Sequence, residues 1–132
     1  MGDHWHKRSV GIKLWGFEAD PYILSSKISA ITDPIAKGEP HGSKNFYKEN
    51  LLYILKLLNE NEYWGDTFLE LIDSIGGIAV LSSLIEAVNP RSYFVVINLP
   101  KSDVLSGGGN HLSKEATTAI SNLDCDVQIN YF

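Results

Sequence analysis

Apolar and polar residues alternate along Ser9–Phe17: Val10, Ile12 and Leu14 fall on one side of the chain, Gly11, Lys13 and Trp15 on the other. A period of two predicts a strand with one buried face. The pattern then changes. Asp20 and Pro21 open a helix, Asp20 as its cap and Pro21 at its first position. Ile23, Leu24, Ile28 and Ile31 line one face of it before Asp33-Pro34 ends it. Ile35 to Asn45 is polar and rich in Gly and Pro, a loop with room for a short edge strand. Tyr47, Leu51, Ile54, Leu55 and Leu58 recur at helical spacing and predict a helix over 47–59.

A further helix is capped by Asp66, faces inward with Phe68, Leu69, Leu71, Ile72 and Ile75, and stops at Gly76-Gly77. Ile78–Val88 is apolar and β-rich, and so is Tyr93–Leu99. The turn residues Asn89-Pro90-Arg91-Ser92 between them predict an antiparallel hairpin. Lys101–Asn110 reads as a loop, and Ser113 caps a last helix carrying Ala116, Ala119, Ile120 and Leu123. In the final segment Cys125, Val127, Ile129 and Tyr131 alternate with polar residues, which predicts a strand with one face in the core. The order is then β-α-α-α-β-β-α-β. This is an α+β protein with a mostly antiparallel sheet and helices packed on one face.

Length allows one domain over residues 1–132, with 1–8 as a flexible lead. A chain of this size buries roughly two-thirds of its unfolded surface and needs no disulfide or metal to fold. It has one cysteine, Cys125, so no intramolecular disulfide forms, and a reducing, cytoplasmic setting is expected. The first eight residues have no apolar run of the signal-peptide type, and no stretch approaches the roughly 18 apolar residues of a membrane span.

Charge changes the picture more. The net charge of −5 argues against nucleic acid as partner. It is also unevenly placed: residues 1–56 carry eight Lys/Arg and six Asp/Glu, net +2, and residues 57–132 carry three and ten, net −7.

Candidate chemistry is thin. His4-Trp5-His6 offers two imidazoles and no third ligand, so no metal site is expected. Ser106-Gly107-Gly108-Gly109 lacks the ending of a phosphate-binding loop. Cys125 falls in phase with Val127 and Ile129, a core position, and none of His4, His6, His41 and His111 is placed beside it as a base. Neither a catalytic site nor a cofactor is expected.

The acidic segment is more informative. Glu60, Glu62, Asp66, Glu70 and Asp73 lie within fourteen residues. Asp66, Glu70 and Asp73 share one helix face by their spacing, and Tyr63 and Trp64 sit among them. Acids beside aromatics suit a basic protein, with charge steering the encounter and rings anchoring it. A solvated helix face is the plainer reading of the same residues.

Both ends of the chain resemble a bacterial family known as domain of unknown function 4279. The resemblance rests on the Ser9 strand, Gly16, Asp20-Pro21 opening a helix, Lys37-Gly38-Glu39, and His111-Leu112-Ser113-Lys114-Glu115-Ala116 before a last strand that ends at Tyr131. The family carries a Trp-centred strand after its Lys-Gly-Glu. Here Gly42-Ser43-Lys44-Asn45-Phe46 runs almost directly into the predicted 47–59 helix. The resemblance implies a compact α+β fold without known catalytic residues, and by analogy an immunity protein. The expected function is therefore neutralisation of a cognate toxin, a basic nuclease type, by a monomer or weak homodimer. The partner-binding residues would be Glu60, Glu62, Tyr63, Trp64, Asp66, Glu70 and Asp73, with no nucleic acid or membrane involved. A small-molecule-binding or enzymatic domain and a homodimeric adaptor are the alternatives.

Overall fold

The computed structural model describes residues 7–106 and 112–132. The first strand, β1 (Ser9–Trp15), forms where the alternation predicts it, and α1 (Pro21–Ser26) starts on the Asp20 cap, whose carboxylate accepts from the Tyr22 amide at 2.8 Å. There follow β2 (Ile31–Ile35), a small hairpin of β3 (Pro40–His41) and β4 (Asn45–Phe46), and β5 (Leu51–Leu57). Two helices come next, α2 (Trp64–Ile75) and α3 (Ile78–Val88), then β6 (Ser92–Leu99), α4 (Lys101–Ser106), α5 (Lys114–Leu123) and β7 (Asp126–Tyr131). The main sheet has the order β2-β5-β1-β6-β7, antiparallel throughout except for the parallel β6–β7 pair. That pair is joined through α4 and α5, as a parallel connection requires.

Register fixes the two faces of the sheet. Val10, Ile12 and Leu14 of β1, Leu52 and Ile54 of β5, and Val95, Ile97 and Leu99 of β6 lie in one core with Phe68, Leu71 and Ile72 of α2, Leu81 and Ile85 of α3, and Leu123 of α5. The helices thus cover one face, as expected. The opposite face holds a small cluster of Tyr53, Leu55 and Val96 with Phe94 beside them. Gly11 makes this possible, because a methyl group there would overlap the Ile54 carbonyl and the Tyr53 ring. The buried Tyr53 hydroxyl lies 3.3 Å from Ser9 Oγ and accepts from Asn98 Nδ2 at 3.4 Å. Burial pushes its pKa up to about 12.

Five sequence expectations are corrected. The 47–59 helix is a strand: β5 lies between β1 and β2, so Leu51–Leu55 are buried on both faces, and its run of apolar residues serves the sheet rather than a helix stripe. Ile78–Val88 is a helix whose buried residues Leu81, Ile85 and Val88 keep the 3.6 period, so no hairpin joins it to β6. The first helix ends at Ser26, and Asp33-Pro34 lies inside β2, an edge strand where the missing amide of proline is tolerated. Lys101–Ser106 is helical. Finally, β7 joins the sheet at its edge, beyond the helix layer, and Val127, Ile129 and Tyr131 are 41%, 46% and 45% exposed rather than buried, with Cys125 half-buried.

Two further boundaries hold as read. Gly76, with φ at 122°, ends α2 in a backbone form that glycine adopts without strain, and Ser113 Oγ caps α5 by accepting from the Ala116 amide at 3.2 Å. No single helix is long and apolar enough to cross a membrane.

Candidate functional site

The acidic residues singled out from the sequence divide into two groups. Asp66, Glu70 and Asp73 are all exposed along α2, on the side away from the sheet, and Glu60 is exposed in the turn leading to the helix. Lys56 Nζ stands 3.8 Å from Glu70, an exposed pair of the kind that contributes little. Glu62 is committed to the turn itself: it accepts from Thr67 Oγ1 at 2.9 Å and from the Asn59 amide at 3.3 Å. Asp66 sits in the first helical turn, where its charge favours the helix dipole; the cap position belongs to Tyr63, which makes no side-chain cap bond. Trp64 is 6% exposed and part of the core, so it is corrected from surface anchor to packing residue. Tyr63, at 46% exposed, is the aromatic that the acidic surface presents.

Across the sheet lies a concave site that the sequence reading missed. The β3–β4 hairpin and the segment after it wall off part of the sheet face opposite the helices and leave a cleft of about 900 Å³. Its floor comes from β1: Lys13 and Trp15 point to this face because Val10, Ile12 and Leu14 take the other. Burial lowers the pKa of the Lys13 ammonium from that of an ordinary lysine. Arg91, just before β6, lies 5.1 Å above the Trp15 ring and grips Glu49 twice, Nη1 at 2.6 Å from Oε1 and Nη2 donating to Oε2 at 2.8 Å. Gly16, at φ 78°, turns the chain beneath this arginine, and a side chain there would meet Arg91 Cβ.

The outer wall is the hairpin. His41 stacks on Tyr47 with ring centroids 4.4 Å apart, while Phe46 is exposed at the mouth. Lys44 and Lys48 line the same wall, exposed and without an ion pair among the described residues. Two devices hold the hairpin in place. Asn50 donates to the Phe17 and Ala19 carbonyls at 2.8 and 3.2 Å and accepts from the Lys37 amide at 2.8 Å. Glu39 accepts from Tyr22 Oη at 2.6 Å and from the Ala36 amide, and the tyrosine hydroxyl holds its carboxyl below the usual carboxylate pKa.

The available signal for this site was the second face of β1: Lys13 and Trp15 alternate with the core residues. Ile35 to Asn45 read as a loop with room for a short edge strand, with nothing in it to fold it back onto β1. Cys125 is half-buried, and burial raises its thiol pKa. His4-Trp5-His6, Gly107–Gly109 and His111 lie outside the described residues.

Fold and surfaces together define an α+β domain with two candidate binding surfaces, an acidic helix face and a basic aromatic cleft on opposite sides of one sheet. No family model, curated protein or solved structure matches the chain.

Proposed function

We propose that this chain is a non-catalytic binding protein that holds a basic protein partner on the exposed face of α2, as the immunity protein of a bacterial toxin. The carrying observation is the row of Asp66, Glu70 and Asp73, solvent-facing together, with the exposed Tyr63 at its start. A row of like charge on an exposed helix face raises the encounter rate with a basic surface and costs little desolvation until contact. An exposed tyrosine beside it supplies anchor area at low entropic cost. A nuclease cleft, lined with cations to hold phosphates, is the complementary shape and charge.

The family resemblance supports the same reading by analogy. β5 stands between Lys37-Gly38-Glu39 and α2, where the resembled family carries its strand, although Tyr53 rather than tryptophan is central.

The test is co-expression with the product of an adjacent toxin-like reading frame. Protection of the host and a complex that weakens with salt are expected. A neighbour that is neither bound nor neutralised overturns the reading.

A further inference from the structure

The cleft behind the β3–β4 hairpin has no part in the proposal above, and its chemistry is the reverse of the α2 face. Four cationic side chains, those of Lys13, Lys44, Lys48 and Arg91, border it; Glu49 holds Arg91, while Lys44 and Lys48 form no ion pair among the described residues. Those two lysines set positive charge on the cleft wall of a chain whose net charge is −5. Such a concentration calls for a multiply charged anion rather than a single carboxylate.

Beside the charges are rings. Trp15, 40% exposed, lies on the floor beneath the Arg91 guanidinium, and Phe46 is open at the mouth. The bidentate grip of Glu49 fixes the guanidinium plane, so Arg91 is oriented before any ligand arrives. A volume of about 900 Å³ falls in the range of small-molecule sites and is too confined for a folded partner.

We propose that this cleft binds a small molecule in which a planar ring carries a phosphate group, the ring against Trp15 and Phe46 and the phosphate between the lysines and Arg91.

The test uses the full chain, isotope-labelled, titrated with adenosine monophosphate, adenosine and inorganic phosphate and followed by NMR. Adenosine monophosphate should shift resonances of Lys13, Trp15 and the 40–49 hairpin, and bind at least tenfold more tightly than either of the other two probes. Lys44→Glu/Lys48→Glu changes only exposed side chains and should weaken it at least tenfold with an unchanged fold. Trp15→Ala should lower its affinity towards that of inorganic phosphate. The proposal is overturned if adenosine monophosphate causes no shifts at millimolar concentration, or if Lys44→Glu/Lys48→Glu binds it as the parent does. It is overturned equally if a short poly-glutamate peptide fills the cleft while the ring phosphate does not. None of these variants touches α2, so failure here leaves the toxin reading standing and the converse also holds.

Discussion

On α2 the acids project from a helix surface, and apart from Glu70 beside Lys56 none of Asp66, Glu70 and Asp73 forms an ion pair among the described residues. Across the sheet the charged groups are built in: Arg91 is braced by Glu49 and stacked over Trp15, and Lys13 is half-buried on the sheet floor. The two surfaces therefore act differently. A projecting row of charge works at a distance, through encounter rates, and is sensitive to salt. A concave, braced set works on contact, through orientation and partial desolvation. Net charge hides this division, because −5 sums over the whole chain, the acidic helix face and the basic cleft included.

The largest expected effect separates two neighbouring aromatics on the acidic side. Trp64→Ala empties a core position and should cost about 3–5 kcal/mol of stability, read from denaturant midpoints. Tyr63→Ala should leave the midpoint within about 0.5 kcal/mol and instead speed dissociation of the partner, by about 2 kcal/mol if it is the anchor. A Trp64→Ala protein that melts as the parent does but loses its partner would return the tryptophan to the interface.

The next effect lies in the small cluster on the sheet face opposite the helices. Tyr53→Phe removes a buried hydroxyl from the Ser9 and Asn98 pair and should cost about 1 kcal/mol, since those two groups still bond each other at 3.1 Å. The same change should leave partner binding at α2 untouched. If it weakens both, the faces are coupled through the sheet and are not independent surfaces.

What the sequence disclosed follows the same division. Where apolar residues keep to one face of an element, period is a sufficient guide: β1, the α2 stripe and the Ser113-capped helix were all legible. Where apolar residues occupy both faces, period vanishes. Leu51–Leu55 satisfied a helical template and formed the strand between β1 and β2. Ile78–Val88 showed the opposite failure, because β-branched composition outweighed the spacing of Leu81, Ile85 and Val88. The acidic row was legible because it is local to one helix. The cleft was not, because it joins β1, the 40–49 hairpin and Arg91, segments that only the sheet order brings together.

A smaller effect tests the acidic face as a steering device. Glu70→Lys/Asp73→Lys should slow association severalfold at low salt and flatten its salt dependence, with stability within about 0.5 kcal/mol of the parent. Unchanged association kinetics at low ionic strength would mark the row as a solvated face, and the partner surface would then be sought at the hairpin.

The smallest effect concerns what keeps the cleft wall in place. Glu39 ties the hairpin's base to α1 by accepting from Tyr22 Oη at 2.6 Å. Its pKa in the fold lies below the ordinary carboxylate value because that hydroxyl stabilises the charged form. A depressed carboxylate pKa contributes stability that is fully present above the unfolded pKa, about pH 4, and is lost as pH falls through the folded value. The hairpin should therefore loosen under acid, and the site is exposed enough that the change in melting temperature will be slight. Amide exchange at Gly38 and Tyr47, which carry the hairpin's backbone bonds to Tyr47 and Glu39, is the sharper measure. Protection there, corrected for intrinsic exchange, should fall between about pH 5.5 and about pH 3 in the parent. Glu39→Gln should show the lower protection at both, because its amide keeps no charge for Tyr22 to stabilise. Equal protection in parent and variant across that range would mean that the hairpin is held by its own ladder and Asn50 alone, and the cleft wall would owe nothing to Glu39.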